Sequence, residues 1–299
     1  MKIDRRDFLK LAGIGSIVFS SGLGKLGSLA NAAAGKDDFF FVQLSDTHWG
    51  FTNPAVNPDS AETLKKVVAS VNSLTDQPDF LVFTGDLTHV TDDDKERRTR
   101  MSQFKDIISA LKVKNIKFIP GEHDAGLDEG AAFKEFFGKT HYSFDHKGVH
   151  FIALDNVSDP TSSLGDAQLE WLSADLKKQK KDSQIVVFTH RPLFDLYTDW
   201  DWYTRDGAKV IELLRPYSNA TVLYGHIHQE YHHKTGNIAH HAAKGLMYPL
   251  PAPGSVPKKA PVPWDANQPY KGLGFRSIDV KAKQAALSIA EFSVKGEKL

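Results

Sequence analysis

The chain has 299 residues, enough for one large domain or two modest ones around a well-buried core. Hydrophobic residues make up 41 % and charged residues 25 %, near the globular averages, which excludes a disordered, collagen-like or coiled-coil protein. Basic and acidic residues balance at 37 each and cysteine is absent, which excludes a strongly basic nucleic-acid binder, a disulfide scaffold, a zinc finger and a thiol enzyme.

Residues 1–34 read as an address. Lys2, Arg5 and Arg6 form a positive start, Leu11 to Phe19 is a short apolar run with glycines, and Ala30-Asn31-Ala32 followed by Ala33-Ala34 offers cleavage sites. Arg5-Arg6-Asp7-Phe8-Leu9-Lys10 resembles the twin-arginine (Tat) signal. The resemblance implies handling by the Tat machinery, export to the periplasm and cleavage after Ala32 or Ala34. The apolar run is too short to span a bilayer, so no stable membrane anchor is expected after cleavage. The remainder, 35–299, carries 32 basic and 35 acidic residues and is expected to form one domain that does not bind nucleic acid.

From residue 35 the pattern is α/β. Phe39–Leu44 is an apolar run of strand length, and Ser60–Leu74 has helical periodicity with Ser60 as its cap. Asp79–Thr84 reads as a strand, Asp94–Leu111 as a charged helix and Asn115–Ile119 as a third strand. Strands are then expected at Val149–Leu154, Ile185–Thr189 and Thr221–Tyr224, with helices at Asp166–Lys180 and Gly207–Leu214. Gly274–Val280 and Ala285–Phe292 suggest a closing hairpin. Between them, residues 249–269 hold 7 of the 14 prolines and read as an ordered, functional loop.

Five of these strands run directly into polar clusters. They are Asp46-Thr47-His48, Gly85-Asp86, Gly121-Glu122-His123-Asp124, Thr189-His190 and Gly225-His226-Ile227-His228. The C-terminal rim of an α/β sheet is where ligands bind. In extended chain residues i and i+2 point the same way, so Asp46 with His48, and His226 with His228, are expected to face one point. Gly85, Gly121 and Gly225 are expected to supply the turns. Imidazole and carboxylate donors without thiolates suit Zn, Mn or Fe, and seven of them exceed what one ion needs. Two ions sharing a carboxylate is the simplest reading.

This series resembles the signature of the calcineurin-like metallophosphoesterase superfamily over nearly the whole chain after residue 34. Tyr142-Ser143-Phe144, Val149–Asp155 and Gln168-Leu169 with Trp171-Leu172 resemble the middle of bacterial members. The resemblance implies a four-layer α/β/β/α sandwich of two mixed sheets flanked by helices. It implies one ion, divalent or in a mixed-valence pair, on Asp46, His48, Asp86 and His228. A second would sit on Asp86, position 122, His190 and His226. It also implies hydrolysis of a phosphate ester by a hydroxide held between the ions. His123 would meet the phosphate and protonate the leaving group, with Asp124 holding its tautomer.

One position departs from the family, which usually has Asn where this chain has Glu122. If Glu122 binds, three carboxylates against two divalent ions leave one net positive charge in place of two. If it does not, the second ion is held more weakly.

His89 either backs the ligands or is an ordinary loop histidine. Arg191 is a phosphate contact or a surface arginine. The aromatic run after His190, with Trp200, Trp202 and Tyr203, forms a substrate wall or packs on the Pro-rich segment and Trp264. The leading expectation is a periplasmic phosphoesterase acting on a small-molecule phosphate ester, diesters ahead of monoesters. A phosphomonoesterase and a non-catalytic metal-dependent binding protein are the alternatives. Oligomeric state is not encoded in any feature of the sequence.

Overall fold

A computed structural model describes residues 37–281 and 286–299. The twin-arginine segment and Ala285, the first residue of the closing hairpin's expected second strand, lie outside the described residues. Among the described residues no helix is long and apolar enough to cross a membrane.

Two mixed sheets stack face to face. The first has the order β11-β10-β1-β2-β3, with β1 (Phe39–Leu44), β2 (Phe80–Thr84) and β3 (Ile116–Ile119) parallel. β10 (Gly274–Val280) and β11 (Ser288–Ser293) close one edge as an antiparallel hairpin. The second has the order β4-β5-β6-β7-β9-β8. Here β5 (Val149–Ala153), β6 (Gln184–Phe188), β7 (Asn219–Tyr224) and β9 (Ile238–Ala242) run parallel. β4 (Tyr142–His146) and β8 (Tyr231–Thr235) flank them antiparallel.

The strand sequences sort themselves into layers. Phe39, Phe41, Phe80 and Val82 alternate with Phe40, Val42, Leu81 and Phe83 along β1 and β2. The first set meets Phe151, Val186, Phe188 and Leu223 between the sheets. The second set packs on α1 (Ser60–Asn72) and α2 (Asp94–Ile108) through Leu64, Val67, Met101 and Phe104. Ile152, Ile185, Val187 and Val222 face α5 (Asp166–Leu176) and α6 (Gly207–Leu214). Apolar residues on both strand faces thus produce the four layers α/β/β/α.

Helix ends stop earlier than periodicity suggests, α2 at Ile108 and α5 at Leu176. Asp59, not Ser60, stands at the N-cap of α1, and its side chain makes no capping bond. Two short helices, α3 (Glu122–Ala125) and α4 (Ala131–Phe137), and the β8–β9 hairpin carry no clear sequence pattern. All five polar clusters leave the sheets at one rim, after β1, β2, β3, β6 and β7.

Candidate metal centre

The convergence arises from backbone geometry that extended chain does not have. Asp46 (φ 54°), His48 (φ 41°), Asp86 (φ 50°), His226 (φ 65°) and His228 (φ 52°) all lie in the left-handed region. Such conformations cost L-residues energy and gather where surrounding structure enforces them. The enforcement is visible. Asp46 N donates to Gly85 O at 3.0 Å, His48 N to Asp86 O at 2.9 Å, and Leu246 N to Asp46 O at 3.1 Å. The i, i+2 pairs therefore meet through left-handed turns, not through strand alternation. Gly85 turns the chain as expected, at φ 93°, but Gly121 serves another purpose. A Cβ there would lie 2.1 Å from Asp86 Oδ1, so the glycine lets two strand-end loops touch.

The expected ligands form two of the four overlapping donor clusters among the described residues. Asp46, His48, Asp86 and His228 bring their ligand atoms within 4.8 Å of one another, and so do Glu122, His190 and His226. Asp86 stands between them, its Oδ2 3.5 Å from His48 Nε2 and 3.5 Å from His190 Nε2. Two imidazoles are pre-oriented by carbonyls. His190 Nδ1 donates to Thr84 O at 2.7 Å and His228 Nδ1 to Tyr248 O at 2.6 Å, which turns each Nε2 lone pair inward. His190 Nε2 then faces Glu122 Oε2 at 2.9 Å with no hydrogen between the two in the neutral ring. Glu122 Oε2, His190 Nε2 and His226 Nε2 are buried without a hydrogen-bond partner among the described residues. Acceptors crowded this way require a cation.

The titration shifts carry the same message. Burial pushes His190 down, yet Asp86 and Glu122 override it and hold the ring well above the ordinary histidine range. Burial pushes Glu122 up, and His226 and His190 bring it well below the usual carboxylate range. The pocket holds positive charge whether a proton or an ion supplies it. The donor set therefore fits two metal ions.

Asp124 corrects an expectation. Its carboxylate accepts from Leu87 N (2.9 Å), Thr88 N (2.8 Å), Thr88 Oγ1 (3.0 Å) and Gly121 N (3.0 Å), and does not touch His123. Neighbouring residues on a helix do not face each other, and both lie in α3. Burial, followed by the Asp86 charge, pushes the Asp124 carboxyl up to about 6. His123 is oriented instead by Val90, whose N–H donates to Nδ1 at 3.0 Å, leaving the ring proton on Nε2. That nitrogen is 3.9 Å from Asp86 Oδ2.

His89 and the tryptophans each follow one of the two readings expected of them, and buried Arg191 follows neither of its own. His89 Nδ1 lies 3.4 Å from His48 Nδ1, behind the ligand atom, and burial pushes its pKa down to about 4. Arg191 is spent on Asp201 and Ser162, so it ties loops together and is not held open for a phosphate. Trp202 is fully buried, and Trp200 nearly so, in a cluster with Tyr224, Ile227, Ala242 and the Pro-rich segment's Leu250. They form core and no substrate wall, while Tyr203 stays half-buried beside them. Trp264 packs elsewhere, edge-on to Tyr270. One residue had no signal in the sequence: Tyr248, whose hydroxyl reaches within 3.3 Å of His48 Nε2 while its ring stacks on His48.

A family model described as calcineurin-like phosphoesterase matches residues 41–230. The chain belongs to that family. Members of the calcineurin-like phosphoesterases work with a dinuclear metal centre, in keeping with the paired clusters. The serine/threonine-protein phosphatase CPPED1 of Mus musculus is 28% identical over 65% of this chain and 70% of its own. A probable cyclic nucleotide phosphodiesterase of Rhodococcus erythropolis is 27% identical over 67% and 68%. A probable glycerophosphodiester phosphodiesterase, GpdQ, of Arcobacter nitrofigilis is 28% identical over 63% and 71%. Among solved structures, a dimetal phosphatase from Danio rerio superposes with a TM-score of 0.55 at 14% identity, over 87% of this chain and 98% of that one. The last likeness concerns the fold alone.

Proposed function

We propose that the protein is a dinuclear-metal phosphoesterase hydrolysing a small organic phosphate ester, with diesters ahead of monoesters, in the periplasm. The observation that carries the reading is the paired donor set around Asp86, whose buried acceptors require cations. In this reading Asp46, His48, Asp86 and His228 hold one ion, and Asp86, Glu122, His190 and His226 hold the other. When bound, two such ions lower the pKa of water and offset charge on the phosphoryl oxygens. No covalent intermediate on the protein is required.

The chain's own groups do the rest. Thr84 and Tyr248 aim His190 and His228 through their carbonyls. Asp124 locks the β2 loop to α3 and so fixes His123 relative to Asp86. His123 presents Nε2–H as a neutral donor to a phosphoryl oxygen. Because Val90 N–H occupies its Nδ1 lone pair, it stabilises charge and does not deliver a proton to the leaving group. The preference for diesters draws on two relatives named phosphodiesterases and on Arg191 being committed to Asp201, since a monoanionic diester needs fewer cationic partners than a dianionic monoester.

Metal analysis of the purified protein, paired with hydrolysis of bis(p-nitrophenyl) phosphate and p-nitrophenyl phosphate under added Mn, Zn or Fe, tests this. Two ions per chain and faster diester turnover are expected. Metal binding with no turnover of either ester would make it a binding protein. Export is tested by Arg5-Arg6→Lys-Lys, which is expected to leave uncleaved precursor in the cytoplasm. Normal periplasmic levels of that variant in a Tat-deficient host would overturn the address.

A further inference from the structure

Residues 245–248 wrap the cluster of Asp46, His48, Asp86 and His228. Leu246 N donates to Asp46 O at 3.1 Å, Asn57 Nδ2 to Met247 O at 2.8 Å and His228 Nδ1 to Tyr248 O at 2.6 Å. A Cβ on Gly245 would lie 3.0 Å from the His228 ring, so the backbone passes close against that ligand. The Tyr248 ring is held as firmly. It stacks on His48 with centroids 4.9 Å apart, tilts against His228 at 4.6 Å and meets Phe51 at 4.9 Å. Tyr248 is buried, and packing on three sides fixes where its hydroxyl points.

That hydroxyl ends among the ligand atoms. Donors that share one ion at bond lengths of about 2.0–2.2 Å lie roughly 3.0–3.5 Å apart. His48 Nε2 is 3.1 Å from His228 Nε2 and 3.5 Å from Asp86 Oδ2, and His228 Nε2 is 3.2 Å from Asp46 Oδ1. Tyr248 Oη stands 3.3 Å from His48 Nε2, at the same spacing. Among the described residues that ring nitrogen is its only hydrogen-bond partner. A nitrogen that gives its lone pair to a metal accepts no hydrogen bond. With His48 used as a ligand, the Tyr248 O–H is therefore a buried donor in need of another acceptor. A tyrosine hydroxyl keeps its proton near neutral pH, so it acts as a donor and not as an anionic ligand. The anionic oxygens of a phosphate ester are the strong acceptors that a substrate brings to this place.

We propose that Tyr248 is a substrate-binding residue of this site, its hydroxyl donating a hydrogen bond to a phosphoryl oxygen held beside Asp46, His48, Asp86 and His228. The proposal rests on the phosphoesterase reading above. One residue thereby does two separate things: its carbonyl aims the ligand His228, and its side chain meets the substrate.

Tyr248→Phe separates the two, because it keeps the ring and the carbonyl and removes only the hydroxyl. The metal-loaded full chain is compared with this variant by metal content, by the Kd of inorganic phosphate from calorimetry, and by KM against kcat for bis(p-nitrophenyl) phosphate. Tyr248→Phe should keep both ions, bind phosphate about tenfold more weakly and raise KM by a similar factor, with little change in kcat. A merely structural role for the hydroxyl would leave phosphate affinity where it was. Phosphate binding within about twofold of wild type would overturn the proposal. So would loss of an ion from Tyr248→Phe, which would make the hydroxyl a metal ligand. A wild type that binds two ions and phosphate, beside an unchanged Tyr248→Phe, overturns this proposal alone. A wild type that binds neither metal nor phosphate overturns the phosphoesterase reading itself.

Discussion

Four imidazoles, His48, His190, His226 and His228, meet at the strand ends, and four more, His232, His233, His240 and His241, lie on the β8–β9 hairpin. In the first group carboxylates stand beside every ring, even where His48 Nε2 meets His228 Nε2 at 3.1 Å. Asp86 Oδ2 is 3.5 Å from two of them, and Glu122 is 2.9 Å from both His190 Nε2 and His226 Nδ1. In the second group ring meets ring, and a carboxylate, Glu230, reaches only His232, at 3.4 Å, among the described residues. His232 and His241 face each other across the ladder with Nδ1 atoms 2.7 Å apart, and His233 stacks on Phe194. Burial and neighbouring positive groups push His240 and His241 down to about 3, so both are neutral. The two groups differ in backbone as well. The first holds Asp46, His48, Asp86, His226 and His228 in left-handed turns that aim side chains inward, while strand pleating sends His232 and His233 to opposite faces. A metal centre therefore depends on interleaved carboxylates and enforced turns more than on a local density of histidine.

The comparison breaks most sharply at Asp86. Asp86→Ala should abolish stable occupancy of both clusters and lower kcat by roughly 10³-fold or more, since one carboxylate serves both. Elemental analysis showing two ions per chain in that variant would mean that the clusters do not share it. Glu122→Ala should lose one ion only, while Glu122→Asn retains two, as counted the same way. His123→Ala should keep both ions and lose about 10²-fold in kcat, by the same factor for diesters of every leaving-group pKa. A loss that grows steeply with leaving-group pKa would restore the proton-donor role that Val90 argues against. The smallest effect belongs to the hairpin. His240 is fully buried with both ring nitrogens unpartnered among the described residues, so His240→Leu should add about 1 kcal/mol of stability. Metal content and kcat should not change. A fall in either would show that the second histidine group supports the first.

Much of this centre is legible in the sequence, because each polar cluster directly follows an apolar run of strand length and parallel sheets deliver such ends to one rim. That rule brings the seven side chains from Asp46 to His228 to one rim, but the left-handed turns that aim them at one another leave no mark in the sequence. What the sequence hid depends on partners far away in the chain. Trp202 is core because Tyr224 and Leu250 meet it there, and an aromatic run alone cannot say whether such partners exist. Adjacent His123 and Asp124 invite a pairing that a helical turn forbids. Tyr248 and Lys259 lie on connections without periodicity, so only the folded chain brings one against His48 and the other beside Trp200.

The donors divide between the sheets. Asp46, His48 and Asp86 come from loops of the first and Glu122 from the start of α3 after its β3, and His190, His226 and His228 from loops of the second. Each ion in the proposed assignment is thus a cross-link between two layers that otherwise meet through an apolar interface. An ion that binds the folded chain and not the unfolded one adds stability by mass action, about 2.7 kcal/mol at a concentration a hundredfold above its Kd. The melting temperature of this protein should therefore report the free metal concentration around it. A chelator should lower that temperature by loosening the rim where the two sheets are clasped, even though no covalent bond and no residue of the inter-sheet core is touched.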